Sequence, residues 1–139
     1  MRTILIVGGG YAGFYTAWRL EKKLRRGEAR VVVVDPRPYM TYQPFLPEVL
    51  AGSVEPRHAA VSLRRHLRRT RLIAGTVTAV DHVHRTVTVQ PADGQEFTLG
   101  YDIIVATASS TCFMPMACSA TPGTASLRVT APAVTTMTS

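Results

Sequence analysis

The chain has 139 residues, of which 46% are hydrophobic and 18% are charged, and its formal net charge is +7. This length is typical of one domain, and the composition predicts a globular fold with a hydrophobic core rather than a disordered chain. No apolar stretch reaches the roughly 18 residues of a membrane-spanning helix, and the apolar start is too short for a signal peptide, so we expect a cytoplasmic protein.

The first elements form a βαβ unit. Residues 3–7 are a short apolar run that ends at glycine, which is typical of a strand buried on both faces of a parallel sheet. From Tyr11 to about Gly27 the pattern predicts a helix. Its apolar face has three- and four-residue spacing: Gly13, Ala17, Leu20 and Leu24. The β-branched run "RVVVVD", residues 30–35, then predicts a second buried strand.

The turn between strand and helix carries a G-x-G-x-x-G motif made by Gly8, Gly10 and Gly13. The first glycine permits a tight turn, the second lets a pyrophosphate approach the backbone, and the third lets the helix pack closely. Asp35 follows Gly13 by 22 residues, at the end of the second strand. A carboxylate there accepts hydrogen bonds from ribose hydroxyls and repels a 2′-phosphate. The motif together with Asp35 therefore favours FAD or NAD over NADP. The alternative is a glycine turn that binds nothing, with Asp35 merely exposed.

The middle of the chain begins with the proline-rich stretch "PRPYMTYQPFLPEVLAGSVEP", which predicts a loop with at most a short helix at residues 47–51. An arginine-rich segment, residues 62–71, follows. Leu63 and Leu67 would anchor a helix here whose arginines face water. The alternative is a surface for nucleic acid or an anionic membrane. No aromatic residues interleave the arginines, so we expect no nucleic-acid partner.

The remaining strands complete an α/β fold. "RLIAGTV" predicts a third parallel strand, and "TVTAVDHV", "RTVTVQ" and "EFTLG" alternate as in an antiparallel β-meander. Residues 101–106, "YDIIVA", predict a return strand beside the first. We therefore predict a partial Rossmann-like domain with a parallel sheet in the order 3-2-1-4, a β-meander and a poorly ordered C-terminal tail.

Three stretches together resemble one family: "ILIVGGGYAG", "VVVVDPRPYMTYQPFLPEVLAGSVEP" and "YDIIVATAS". They are similar to the N-terminal FAD-binding half of the type II NADH dehydrogenases (NADH:quinone oxidoreductases), within the pyridine nucleotide-disulfide oxidoreductase superfamily. The resemblance spans residues 1–109. It implies an enzyme that passes a hydride from NADH to FAD and then electrons to a quinone, with peripheral attachment to the cytoplasmic face of the membrane.

The resemblance also implies the positions of the cofactor. The residues expected along the FAD pyrophosphate are Gly8, Gly10, Tyr11, Ala12 and Gly13. Asp35 would contact the adenosine ribose, Pro36 and Arg37 would lie near the adenine, and Gln43 and Pro44 would lie near the flavin ring. Related disulfide reductases carry a cysteine pair where this chain has "MTYQPFLPEV", so a thiol mechanism is disfavoured, and no catalytic residue is assigned.

The C-terminal part differs from the rest. Residues 107–139 hold one of the 16 basic residues, Arg128, and none of the nine acidic ones. The family's Ala-Thr-Gly signature reads here as Ala106, Thr107 and Ala108. We expect residues 1–109 to form an incomplete FAD-binding domain and residues 110–139 to be a low-complexity tail. A frame shift or truncated gene would explain this tail, and a linker to a partner is the alternative.

The tail also holds both cysteines, Cys112 and Cys118, whose spacing matches neither the usual zinc motifs nor a disulfide framework. We therefore expect no metal site. Because a second glycine motif for NADH is absent from the sequence, we expect the chain to be inactive alone. The alternatives are a standalone NAD- or adenine-nucleotide-binding module and a basic nucleic-acid or membrane-surface binder.

Overall fold

The computed structural model of the protein describes residues 1–107 and a strand at residues 126–128. In chain order the elements are β1 (Arg2–Val7), α1 (Tyr11–Lys23), β2 (Ala29–Asp35), β3 (Tyr39–Thr41), a 3-10 turn (Gln43–Phe45), α2 (Leu46–Leu50), α3 (Pro56–Ala59), β4 (Ala60–Ser62), α4 (Leu63–His66), β5 (Arg71–Asp81), β6 (Thr86–Pro91), β7 (Phe97–Gly100), β8 (Ile103–Ala106) and β9 (Ser126–Arg128).

The main sheet has the strand order β7-β6-β5-β2-β1-β8. Strand β1 pairs in parallel with both β2 and β8, and β2 pairs in parallel with β5. Strands β5, β6 and β7 pair antiparallel in succession, and β9 pairs antiparallel with β5. The predicted parallel order 3-2-1-4 and the β-meander are confirmed.

Each face of the parallel strands covers its own hydrophobic core, which explains the uninterrupted apolar run of β2. Val31 and Val33 face α1, where they meet Phe14 and Ala17. The alternate residues of β2 face the meander, together with Leu5 of β1. Because successive residues of a strand point to opposite faces, a strand between two layers must be apolar at every position. The four valines of β2 are therefore buried on both faces of the sheet.

The third parallel strand and the first meander strand were predicted separately, and this was wrong. They form one strand, β5, which spans residues 71–81 without a break although it contains Gly75. Its first half pairs with β2 and its second half with β6. A register shift between Val77 and Ala79 lets this long strand bend out of the parallel sheet.

The predicted helix over residues 62–71 was also wrong in extent. Leu63 and Leu67 are buried as predicted, but α4 ends at His66. The chain leaves the helix because the backbone N–H groups of Arg69 and Thr70 donate to the Glu21 carboxylate on α1. The small β3–β4 sheet was not predicted, whereas the short helix expected at residues 47–51 is present as α2.

The predicted α1 is confirmed, although it ends at Lys23 and Gly27 lies in the following turn with a φ of +88°. The tail and the two cysteines lie outside the described residues, apart from β9. Within the part of the chain that the structure describes, no helix is long and apolar enough to cross a membrane.

Candidate dinucleotide-binding site

The glycine turn joins β1 to α1 at the carboxyl end of the parallel sheet. Gly8 has a φ of +99°, a conformation that side chains rarely adopt, and its N–H donates to the Val34 carbonyl of β2 at 2.9 Å. A Cβ at Gly8 would lie 2.5 Å from the Thr107 carbonyl oxygen. A Cβ at Gly13 would overlap the Gly8 carbonyl oxygen. Both glycines therefore have the turn and packing roles that the motif predicts.

Thr107, directly after β8, supports the same turn and was not among the predicted site residues. Its N–H donates to the Val7 carbonyl at 2.9 Å, and its hydroxyl lies 3.0 Å from the carbonyl oxygens of Val7 and Gly8. The signal for this contact was the strand-end Ala106-Thr107 pair itself. Ala108, which replaces the family's glycine, lies outside the described residues.

The amino end of α1 is open to an anion. Gly10 is the N-cap residue and has no side chain to cap the helix. The first intrahelical bond runs from the Phe14 N–H to the Gly10 carbonyl at 2.8 Å, so the N–H groups of Tyr11, Ala12 and Gly13 precede the helical pattern. The first turn contains no acidic residue. These N–H groups and the helix dipole are suited to phosphate oxygens.

Asp35 faces this turn from the end of β2 and is only 7% exposed. One carboxylate oxygen accepts the Gly9 N–H at 2.6 Å and the other accepts the Arg37 N–H at 2.8 Å. The alternative of a merely exposed aspartate is therefore wrong. A carboxylate has about four acceptor positions, so both oxygens keep capacity for ribose hydroxyls. Sequence reasoning missed the Gly9 contact, because Gly9 lies 26 residues from Asp35.

A small cavity of about 30 Å³ lies beside Asp35, between the end of β2, α4 and β5. Its lining residues include Arg37, Pro38, Leu63 and Arg64. Pro36 is exposed and is not among the lining residues, whereas Arg64, from the arginine-rich segment, was not predicted to be near the site. A volume of about 30 Å³ has room for about two water molecules, so this cavity is not a pocket for a ring, and the two arginines border it.

Aromatic side chains border the other side of the amino end of α1. The ring centroids of Tyr11 and Tyr15 are 4.6 Å apart, and those of Tyr42 and Phe45 are 4.9 Å apart. Tyr11 also lies 6.2 Å from Tyr42, so the 3-10 turn that contains Gln43 and Pro44 adjoins α1. The hydrogen bond with Tyr15 raises the pKa of Tyr11. We call Tyr11, Tyr15, Tyr42 and Phe45 the aromatic wall. It can contact an aromatic ring system that lies next to the amino end of α1.

The free N–H groups at the amino end of α1 are suited to a diphosphate, and the Asp35 carboxylate beside them is suited to hydroxyl donors. No cluster of histidine, cysteine and acidic residues that could hold a metal occurs within residues 1–107. The fold and site define a dinucleotide-binding domain of the α/β class.

Comparison with known proteins identifies the family. Residues 2–134 match the family described as pyridine nucleotide-disulphide oxidoreductase, so the chain belongs to this family. Its members are FAD-dependent flavoproteins, and several of the similar proteins are named for NADH. The predicted resemblance is confirmed, and the matched region extends beyond the predicted range of residues 1–109.

Two curated relatives show how the chain compares in length. Demethylphylloquinone reductase NdbB of Synechocystis is 31% identical over 106 residues, which cover 73% of this chain and 26% of that protein. External alternative NAD(P)H-ubiquinone oxidoreductase B1 of Arabidopsis thaliana is 30% identical over 112 residues, with 73% and 19% covered. The chain therefore spans about a fifth to a quarter of the length of these relatives.

Solved structures show the same fold. NDH2 of Plasmodium falciparum in complex with NADH superposes with a TM-score of 0.67 at 20% identity, over 80% of this chain and 24% of that one. The sulfide:quinone oxidoreductase of Aquifex aeolicus superposes with a TM-score of 0.65 at 24% identity, over 76% of this chain and 24% of that one.

Proposed function

We propose that this chain binds FAD at the glycine turn. The observation that carries the proposal is the uncapped amino end of α1 directly beside the Gly8 turn, with the Asp35 carboxylate facing the same point. The pyrophosphate would accept hydrogen bonds from the N–H groups at Gly10, Tyr11 and Ala12, and Gly13 would keep the helix close enough for them to reach it.

The ribose, adenine and flavin parts of FAD would contact residues on either side of this turn. Asp35 would accept hydrogen bonds from the adenosine ribose hydroxyls, and the adenine would lie outside the end of β2, near Pro36 and Arg37. The flavin would lie towards the aromatic wall near Gln43 and Pro44. When bound, FAD supplies the group that takes a hydride from NADH and passes electrons on. This chain's own residues bind and orient it.

In the complete protein we propose an NADH:quinone oxidoreductase activity at the cytoplasmic face of a membrane. Its support is the family, together with relatives named NAD(P)H-ubiquinone oxidoreductase and demethylphylloquinone reductase. Because the chain spans only a fraction of those relatives, we propose that it is an FAD-binding part with no turnover by itself.

A second candidate is a standalone NAD- or adenine-nucleotide-binding module. The specific observation in its favour is that the diphosphate and ribose features, Gly10 and Asp35, suit the ADP portion that FAD and NAD share.

The test is to purify the chain, record its flavin absorbance, and titrate the apo form with FAD and with NAD. Tight binding of FAD supports the proposal, binding of NAD alone supports the second candidate, and a folded chain that binds neither refutes both.

A Gly10→Val variant should lose binding, because its side chain would occupy the pyrophosphate position. Gly100→Val is the matched control, since no atom lies within 4 Å of a Cβ at Gly100. Circular dichroism would verify that both variants are folded.

A further inference from the structure

A second cavity lies at the edge of the sheet opposite the glycine turn, where β1, β2 and β5 begin. Its volume is about 590 Å³. Besides Met1, Gly27 and Ala29, its lining consists of four arginines: Arg26, Arg30, Arg69 and Arg71. No acidic or aromatic residue is part of this lining. We call it the arginine cavity.

The fold itself brings these arginines together. Arg71 is in register with Val32 on the neighbouring strand, and Arg30 precedes Val32 by two residues. Because side chains alternate along a strand, Arg30 and Arg71 lie on the same face of adjacent strands. Arg26 comes from the turn that joins α1 to β2. Three separate segments therefore deliver positive charge to one place.

The carboxylates nearby are already engaged. Glu21 accepts hydrogen bonds from the backbone N–H groups of Arg69 and Thr70, and Glu28 accepts one from the N–H of Arg25. Within residues 1–107 the salt bridges are Arg57–Glu55 and His84–Asp81, so no lining arginine is paired with a carboxylate there.

Arg69 differs from the other three because its guanidinium has a structural role. Its Nη1 donates to the backbone carbonyls of Glu21 and Leu24, at 2.6 and 3.2 Å. Arg26, Arg30 and Arg71 are exposed and retain their donors for a ligand. Like charges in one cavity repel each other, and the attraction of each guanidinium to a bound anion would offset that repulsion.

We propose that the arginine cavity is a second anion site that binds a phosphate group. A guanidinium group binds phosphate oxygens through two parallel hydrogen bonds. The lining has no carboxylate that would compete for these donors. The lining offers no aromatic surface on which a base could stack, so the ligand is recognised through phosphate alone. Such a group can belong to a soluble pyrophosphate or to an anionic lipid headgroup.

The test is calorimetric titration of the full chain with sodium pyrophosphate at constant ionic strength. It is repeated in the Gly10→Val chain, where the glycine turn cannot accept pyrophosphate. The cavity variant is Arg26→Gln/Arg30→Gln/Arg71→Gln, which leaves the structural Arg69 in place. The control variant, Arg19→Gln/Arg65→Gln/Arg85→Gln, removes the same charge from exposed positions outside the cavity lining.

We expect the cavity variant to bind pyrophosphate about tenfold more weakly or worse, and the control to change by less than about threefold. An equal loss in both variants would mean that binding follows net charge, and no binding by the unmodified chain would mean that no site exists; either result overturns the proposal. If the triple variant unfolds, the single Arg26→Gln change in the exposed turn should still weaken binding.

Sedimentation with phosphatidylcholine vesicles, with and without phosphatidylglycerol, distinguishes the two sources of phosphate. Loss of phosphatidylglycerol-dependent binding in the cavity variant alone supports a lipid headgroup. Cavity-dependent binding of pyrophosphate without vesicle binding supports a soluble ligand.

Discussion

Gly13 is a residue at which even one methyl group cannot be accommodated, because a Cβ there would overlap the Gly8 carbonyl oxygen. We expect Gly13→Ala to lower the free energy of unfolding by about 1–3 kcal/mol, since α1 must move away from the turn. Urea unfolding followed by circular dichroism measures this change. Gly100→Ala is the control and should change stability by less than about 0.5 kcal/mol. Equal effects of the two substitutions would contradict the packing role of Gly13.

Asp35 combines a structural and a proposed binding role, and two substitutions separate them. Asp35→Ala leaves the Gly9 N–H without its acceptor, so we expect a loss of stability of about 1–3 kcal/mol. Asp35→Asn keeps one oxygen acceptor, so its loss of stability should be smaller.

Both Asp35 variants lack the charged ribose acceptor, and FAD affinity should fall about tenfold or more in each. Fluorescence titration with FAD measures this, and unchanged affinity in the Asn variant would remove Asp35 from the binding site.

Glu21 joins two elements that lie far apart in the sequence, and this bond determines where α4 ends. Its Oε1 accepts the N–H groups of Arg69 and Thr70 and the Thr70 hydroxyl, at 2.6–2.7 Å. We expect Glu21→Ala to lower the free energy of unfolding by about 1–3 kcal/mol, because Thr70 is buried and would lose its acceptor. Glu28→Ala, which removes a single bond in an exposed turn, is the matched control. A Glu21→Ala chain as stable as the control would show that the bond does not matter.

Periodicity predicted the elements whose burial depends on neighbours along the chain. In β2 the four valines before Asp35, residues 31–34, are all buried, so the apolar run itself encodes a strand between two layers. Phe14 shows the limit of the helix prediction: it is buried beside Ala17, although the spacing argument did not include it. The end of α4 could not be predicted, because Glu21 lies 48 residues from Arg69. The β3–β4 pairing and the contact between Asp35 and Gly9 depend on distant partners in the same way.

For the molecule as a whole, the topology places the two proposed phosphate sites at opposite ends of the same parallel strands. The glycine turn follows the carboxyl end of β1, and the arginine cavity lies where β2 and β5 begin. The first could be predicted from a motif, because its residues are consecutive. The second could not, because Arg30 and Arg71 meet only through the pairing of β2 with β5.

The number of dinucleotide-binding units should limit the reactions that this chain can catalyse. Its sequence holds one G-x-G-x-x-G motif, and in residues 1–107 that motif lies on the single strand–turn–helix unit built by β1 and α1. One such unit positions one dinucleotide, so residues 1–107 with FAD bound there offer no equivalent unit for NADH. We expect the purified chain with bound FAD to oxidise NADH, with a soluble quinone as acceptor, no faster than the same concentration of free FAD. Absorbance of NADH measures the rate, and a full-length type II NADH:quinone oxidoreductase serves as the positive control. Turnover clearly above free FAD would show that the chain itself brings NADH to the flavin, and would contradict the proposal that it acts only as the FAD-binding part.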